Sequence, residues 1–179
     1  MVSNVIPLRL KGWTLKEVTQ ELKKGGYAMP LEVTLFIMTE VARLSSQKDR
    51  EGESFEMPMS PDQIFITPEG NIRLLPIGNE RGKDLSPIES WGRITWELLT
   101  SKPFAKETSS RKPSYFNPKV SKELDTLVMR ALSKKTKGFS VLHHDLTQQI
   151  EAESLAFEAR FLSGMLQELF EEESQTVAG

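Results

Sequence analysis

Two pairs of carboxylates in this sequence have side chains that are chemically capable of acid–base catalysis. Glu32 and Glu40 form one candidate pair, and Asp62 and Glu69 form another. A catalytic pair needs a proton donor and a proton acceptor within reach of the same substrate. Nothing in the sequence brings the members of either pair together around a pocket. We therefore predict that all four are solvated carboxylates on helices and turns.

Two adjacent histidines, His143 and His144, are the next candidates, because imidazole binds metals and moves protons near neutral pH. Neighbouring residues on a helix point about 100° apart, so these side chains do not chelate one ion together. No third ligand is nearby, and the sequence contains no cysteine, which excludes disulfides, thiolate catalysis and cysteine-bound zinc. We predict surface and packing roles for the histidines, with neither a metal site nor a cofactor.

Residues 101–119 combine prolines with positive charges and aromatic side chains. Exposed aromatic residues beside arginine or lysine are typical of the residues that dominate protein–protein interfaces. The alternatives are a solvated loop, or a nucleic-acid contact, which a net charge of −2 and a pI near 5.8 disfavour. We predict that a protein partner binds here, through Phe104, Arg111, Lys112, Tyr115 and Phe116.

A final amphipathic segment repeats apolar residues at helical spacing between residues 155 and 170. This stripe has two interpretations: it binds a partner or a second copy of the chain, or it folds back on the chain's own core. The first interpretation makes partner contacts of Phe161, Met165, Leu169 and Phe170. The tail that follows is acidic and then small, and we expect its last residues to fray.

The bulk properties suit one soluble domain. A chain of 179 residues buries about 70% of its unfolded surface on folding, which is enough for a single full-sized core. No apolar run approaches the ~20 residues that span a bilayer. Residues 1–13 lack the charged start, apolar stretch and cleavage site of a signal peptide. We expect a cytoplasmic protein with no membrane span.

Helix caps and apolar periodicity predict the first elements. Thr14 and Glu17 form a capping box at the start of a helix that ends near Lys24, before two glycines. Pro30 suits the first turn of a second helix, whose apolar face repeats until about Ser46. The first part of the chain is therefore predicted to be helical.

The apolar period then changes. Apolar residues alternate at 64–66 and at 72–74, on either side of a turn at 68–71. Alternation around a proline- and glycine-containing turn predicts two short strands that form a β-hairpin.

Cap signals return in the second half of the chain. Ser86 and Glu89 form a second capping box, with proline at the first helical position, at the start of a helix that ends near Thr100. Ser121 and Ser140 begin two further helices. The predicted fold is mainly α with one small β-hairpin.

This order of elements resembles the large lobe, or C-lobe, of a bacterial serine/threonine protein kinase. Residues 5–15 resemble the strand and hinge that lead into the lobe, and residues 29–42 its long central helix. Residues 59–78 are similar to the catalytic loop, hairpin and metal-binding turn taken together. Residues 86–104 resemble the buried helix after the activation segment, and residues 120–150 the last two helices. The resemblance implies a kinase C-lobe-like helical domain without the small lobe.

Four of the positions that carry the kinase chemistry depart from the family pattern in this sequence. The catalytic aspartate of the family falls on Pro58, and the asparagine of the same loop on Gln63. The metal-binding aspartate falls on Pro76, and the aspartate that opens the buried helix falls on Pro87. Phosphoryl transfer depends on positioned charge, and these positions carry none. The resemblance therefore implies a pseudokinase, not an enzyme.

An isolated kinase-like lobe is the arrangement of KIND (kinase non-catalytic C-lobe) modules, which bind proteins. We expect such a lobe over residues 1–152, an amphipathic helix over 153–173 and a disordered tail over 174–179. The expected function is that of a protein-binding adaptor or regulatory subunit. The alternatives are a small-molecule or nucleotide sensor without phosphotransfer, and an obligate subunit that forms an oligomer through its C-terminal helix.

The kinase resemblance does not say what covers one face of the lobe. The surface around Trp13, the hairpin and Pro58 is the face that a small lobe normally covers. In a stand-alone lobe this face is polar, covered by the chain itself, or a binding surface.

Overall fold

A computed structural model describes residues 10–52, 59–76 and 85–175. The described chain is mainly helical and contains a small three-stranded antiparallel sheet. The predicted fold class is confirmed. Pro58 lies outside the described residues.

The first element is a short strand, β1 (Trp13–Thr14), that leads directly into helix α1 (Leu15–Lys24). The predicted capping box is present. The backbone N–H of Glu17 donates to the Thr14 hydroxyl at 3.2 Å, and the Thr14 N–H donates to the Glu17 carboxylate at 2.7 Å. Both groups would otherwise lack partners at the helix start. The cap therefore fixes the point at which strand becomes helix.

Helix α2 (Leu31–Arg50) runs through the centre of the domain and buries residues on more than one of its sides. The predicted end near Ser46 was wrong, because the helix continues to Arg50. The last four residues are polar, so the apolar period that marked the helix stops while the backbone hydrogen bonds continue. Lys48 and Arg50 stand in the last turn, where positive charge is favourable to the helix dipole.

The predicted hairpin is confirmed. A 3₁₀ turn (Pro61–Gln63) leads into β2 (Ile64–Ile66), which pairs antiparallel with β3 (Ile72–Leu74). The other edge of β2 pairs with β1, and Trp13 lies opposite Ile66. The sheet order is therefore β1-β2-β3.

Helix α3 (Pro87–Thr100) begins where predicted, with the Glu89 N–H donating to the Ser86 hydroxyl at 3.2 Å. The reciprocal half of the expected capping box is absent from the hydrogen bonds of the described residues. The Glu89 carboxylate instead lies 3.4 Å from the Arg93 guanidinium and 3.6 Å from the Lys134 ammonium group. Two cations near this partly buried carboxylate compete with one backbone N–H.

Four helices complete the chain: α4 (Pro113–Phe116), α5 (Lys122–Leu132), α6 (Phe139–Ala152) and α7 (Ala159–Gln175). Ser121 caps α5 as predicted, since its hydroxyl accepts from the Leu124 N–H at 3.1 Å. The cap of α6 is Gly138, two residues before the predicted Ser140. The helix begins at Phe139, whose side chain is buried.

Two hydrophobic clusters hold the described helices together. The larger joins the hairpin, α1, the middle of α2, α6 and α7. The smaller surrounds Trp96 and joins the first turns of α2 to α3 and α5. Helix α2 packs along α6, and α3 packs along α5. The Trp91 indole N–H donates to the Met38 carbonyl at 2.8 Å and ties α3 to α2. No helix of the described residues is both long and apolar enough to cross a membrane.

Candidate functional site

The segment between α3 and α5 is organised around one buried tryptophan, Trp96. Its indole N–H donates to the backbone carbonyl of Arg111 at 2.9 Å. Its ring packs edge-on against Phe104 and Phe116, with ring centroids 5.3 and 5.6 Å away. Such edge-to-face pairs contribute about 0.5–1.5 kcal/mol each beyond their buried area. One side chain of α3 therefore holds three points of the segment.

Two further hydrogen bonds attach the backbone of this segment to the end of α3. The Phe104 N–H donates to the Glu97 carboxylate at 2.8 Å. The Asn117 side-chain amide donates to the Leu99 carbonyl at 2.9 Å, which is one of the carbonyls left free at a helix end. The segment is therefore attached to α3 near both of its ends, while many of its side chains, including Lys102, Arg111 and Lys112, stay exposed as the solvated-loop alternative expects.

Asp125, a buried residue of α5 that is 1% exposed, fixes the short helix α4. Its carboxylate accepts the backbone N–H of Ser114 at 2.9 Å and also the Ser114 hydroxyl. A carboxylate at a helix start satisfies N–H groups that the helix itself leaves free. Asp125 thereby sets the orientation of α4 relative to α5.

On the solvent side, cations lie over the aromatic rings. The Arg111 guanidinium lies 4.4 Å from the Tyr115 ring centroid, and the Lys102 ammonium group 5.6 Å from that of Phe116. Tyr115 is 62% exposed, and its ring packs against Phe116 at 5.0 Å. Such cation–π contacts are attractive, so they favour these positions of the basic side chains over the rings. We refer to the surface formed by Phe104, Arg111, Lys112, Tyr115 and Phe116 as the docking face.

Contacts connect four of the five residues predicted here, since Phe104 and Phe116 pack on Trp96, Tyr115 packs on Phe116 and Arg111 lies over Tyr115. Lys112 directly precedes α4. Arg111, Lys112 and Tyr115 are exposed, whereas Phe104 and Phe116 are half-buried against Trp96. The two phenylalanines therefore support the surface from below. Sequence reasoning placed Trp96 only in the buried helix of the kinase resemblance and did not single out Asp125. The positioning roles of both residues depend on hydrogen-bond partners distant in sequence.

Charge is concentrated around the docking face. Residues 101–122 contain six basic residues and one acidic residue, in a chain whose net charge is −2. Within the described parts of the chain, none of these six forms an ion pair. Unpaired charges of one sign on one surface produce a local field that attracts an acidic partner.

The C-terminal helix α7 folds back on the chain, which is the second of its two interpretations. Leu162 and Leu166 are 0% exposed in the larger cluster. Phe170 stacks on Trp13 with ring centroids 4.4 Å apart and planes within 7°. The residues proposed as partner contacts, Met165, Leu169 and Phe170, pack against the same cluster, whereas Phe161 is 54% exposed.

Helix α7 also covers the hairpin. The Ser163 hydroxyl donates to the backbone carbonyl of Pro68 in the hairpin turn at 2.5 Å. Gly70, with φ of +82°, lies so close to α7 that a Cβ there would stand 2.1 Å from the Ala159 carbonyl oxygen. Of the three possibilities for the face around Trp13 and the hairpin, the described residues favour coverage by the chain itself.

The described residues at degenerate kinase positions lie near the hairpin and at the start of α3. Gln63 directly precedes β2, and its carbonyl accepts the Leu75 N–H at 2.8 Å. Gln63 therefore lies opposite Leu75, the residue before Pro76, at the open end of the hairpin. Pro87 is the first residue of α3. The side chains at these three positions are an amide and two pyrrolidine rings.

The carboxylate pairs do not come together. Asp62 and Glu69 lie at opposite ends of β2, and Asp62 pairs with Lys16 at 3.6 Å. Hydrogen bonds from its own backbone N–H and from Thr67 lower the pKa of the Glu69 carboxyl. Glu40 lies about 12 Å along α2 from the other candidate of its pair, and its carboxylate accepts from the Arg43 guanidinium at 2.9 Å.

His143 is half-buried beside α2, whereas His144 is exposed. Loss of hydration on burial lowers the pKa of His143, with Glu40 acting in the opposite direction. Among the described residues, no group of three or more histidine or acidic side chains is arranged to hold a metal ion.

No known protein-family model matches the chain, and neither does any curated protein.

Proposed function

We propose that this chain is a protein-binding module, a pseudokinase lobe that acts as an adaptor or regulatory subunit and transfers no phosphate. The docking face is the observation that carries this proposal. It combines an exposed tyrosine, stacked cations and unpaired positive charge on a segment fixed by buried contacts. Tyrosine and arginine are enriched among the residues that contribute most to protein–protein affinity.

The mechanism is recognition by a rigid surface. A flexible loop loses conformational entropy when it binds, at about 0.5–1.5 kcal/mol for each immobilised long side chain. Here Trp96 and Asp125 already hold the segment, so less entropy remains to be lost. The positive field accelerates encounter with an acidic partner, and the aromatic rings supply the short-range contact.

The absence of catalysis is supported by the positions that the kinase resemblance assigns to the chemistry. Gln63 and Pro76, at the open end of the hairpin, have side chains without a carboxylate for a metal ion. The nearby Asp62 pairs with Lys16. Addition of ATP and magnesium is therefore expected to leave the melting temperature unchanged, because a ligand that does not bind the folded state does not stabilise it. A rise would favour the sensor hypothesis instead.

The hypothesis of an obligate oligomer through the C-terminal helix has less support. Its central leucines, Leu162 and Leu166, are already covered by the chain's own core. Light scattering over a concentration series separates the two hypotheses, since a monomeric adaptor keeps a constant mass.

The test of the adaptor proposal is affinity capture from native cells with a three-residue variant of the docking face. Arg111→Glu and Lys112→Glu reverse two charges, and Tyr115→Ala removes the exposed ring. We expect loss of the captured partner with no loss of folding, because all three side chains are exposed.

The matched control makes similar changes on another exposed surface: Lys135→Glu and Lys137→Glu reverse two charges, and Val141→Ala truncates an exposed apolar side chain. It should capture the partner as wild type does. Full capture by the docking-face variant would contradict the proposal.

A further inference from the structure

A groove lies beside the docking face, between α1 and the C-terminal end of α3. Its volume is about 160 Å³, close to that of an apolar cavity that holds a benzene ring. The floor is made of buried apolar side chains, namely Leu15, Leu22, Met29, Ile94 and Leu98. The groove therefore has the space and the apolar surface to accept one large apolar side chain.

Aromatic and charged side chains form the rim of this groove. Tyr27 lines one wall and is 69% exposed. Lys23 and Lys102 also line it and are exposed. Glu97 is the acidic member of the lining, and one of its carboxylate oxygens accepts the Phe104 N–H at 2.8 Å. The rim carries two lysines and one carboxylate, and that carboxylate is already hydrogen-bonded. The net charge of the rim is therefore positive.

Lys102 joins the groove to the docking face. Its side chain lines the groove, and its ammonium group lies over the ring of Phe116. Phe116 contacts Tyr115, whose ring carries Arg111 on its outer side. A continuous path therefore runs from an apolar cavity to an exposed aromatic ring, with positive charge at each step.

We infer that the docking face and the groove together bind an acidic segment of a protein partner in an extended conformation. One large apolar side chain of that segment enters the groove, and neighbouring carboxylates lie along Lys23, Lys102 and Arg111. This inference rests on the proposed function and adds the class of partner. Charge complementarity selects the occupant, because Lys23, Lys102 and Arg111 lie along the path against the single carboxylate of Glu97 in the groove lining.

A nucleic acid, the other polyanion, fits this surface less well. The floor of the groove is apolar, whereas nucleic-acid affinity comes mainly from phosphate contacts over an extended basic surface. The chain as a whole is acidic, with a net charge of −2, so its overall field does not favour a polyanion.

The experiment selects from a display library of short random peptides on the immobilised full chain. We expect enrichment of peptides with several aspartates or glutamates around a leucine, phenylalanine or tryptophan. The affinity of a selected peptide is then measured by fluorescence anisotropy for wild type, for Lys23→Glu/Lys102→Glu, and for Tyr27→Ala. Each variant should weaken binding about tenfold or more, and added salt should weaken wild-type binding.

The control is Lys135→Glu/Lys137→Glu, in the segment before α6. The neighbouring Lys134 contacts Glu89 at the first turn of α3, whereas the groove lies at the opposite end of that helix, about 20 Å away. This control should bind the selected peptide as wild type does.

Enrichment of basic or neutral peptides, no enrichment, or equal affinity of the groove variants would overturn the inference. So would tighter binding of a single-stranded oligonucleotide than of any selected peptide. These failures are distinguishable from failure of the proposed function. If the Arg111→Glu/Lys112→Glu/Tyr115→Ala variant still loses its cellular partner, the adaptor proposal stands and only the groove and partner class are wrong.

Discussion

Asp125 is the single residue on which the orientation of α4 in the docking face depends most directly. Its buried carboxylate holds the first turn of α4 through the N–H and hydroxyl of Ser114. Replacement by alanine removes a hydrogen bond between a half-buried N–H and a charged group, and such bonds contribute about 1.5–3 kcal/mol. We expect Asp125→Ala to lose that much unfolding free energy in urea titrations and also to weaken partner binding.

Asp125→Asn is the matched control, because its amide oxygen still accepts the Ser114 N–H and its NH₂ group donates to the Ser114 hydroxyl. This variant should keep most of the stability and binding. Equal stability of Asp125→Ala and wild type would contradict a positioning role for the carboxylate.

His143 predicts a pH dependence of stability. Burial lowers its pKa in the folded chain, so the unfolded chain takes up a proton first as the pH falls through about 6.5. More protons bound in the unfolded state mean that the free energy of unfolding decreases as the pH falls. Urea titrations between about pH 7.5 and pH 5.5 should show a larger loss for wild type than for His143→Gln.

Repeating the urea titrations at high salt identifies the cause of the difference between wild type and His143→Gln. Desolvation is the largest contribution to the shift at His143, and salt screens exposed charges much more than it changes burial. We therefore expect the difference between wild type and His143→Gln to persist. Its disappearance would show that surface charge and not burial lowers the pKa.

At the scale of the elements, helix α7 is the part whose role the sequence left open. The structure places Leu166 in the core with no exposure, so Leu166→Ala should cost about 2–5 kcal/mol of unfolding free energy. Phe161 lies on the same helix and is mostly exposed. Phe161→Ala should therefore cost less than about 1 kcal/mol.

Thermal or urea unfolding of the monomer measures both values. If α7 were buried only against a second copy, Leu166→Ala would leave the stability of the dilute monomer unchanged and lower the oligomer fraction instead. Similar costs for the two substitutions would also contradict the packing described here.

The elements show which structural features are readable from sequence. The caps at Thr14 and Ser121 and the alternation of 64–66 with 72–74 act over a few residues, and the structure confirms each of them. The end of α2 was not predictable, because its last turn is held by backbone hydrogen bonds and carries no apolar face. Apolar periodicity also defines which side of α7 is buried, but not what covers that side.

At the scale of the whole molecule, the described chain presents two surfaces of different character. Helix α7 covers the hairpin and Trp13. The segment between α3 and α5 leaves Tyr115 and its neighbouring cations in solvent. Sequence reasoning grouped the residues of this segment as a candidate binding surface but did not predict what holds the segment in place. Trp96 and Asp125 hold it, and their side-chain hydrogen-bond partners lie fifteen and eleven residues away along the chain.

The most direct test of the docking face is site-specific photo-cross-linking in the native cell. A photoreactive phenylalanine analogue replaces Tyr115 in one variant and Val141, an exposed residue of α6, in the control. We predict that irradiation links the Tyr115 variant to one protein partner and that the Val141 variant yields no such adduct. Cross-linking of the partner from Val141 but not from Tyr115 would contradict the docking face as the binding surface.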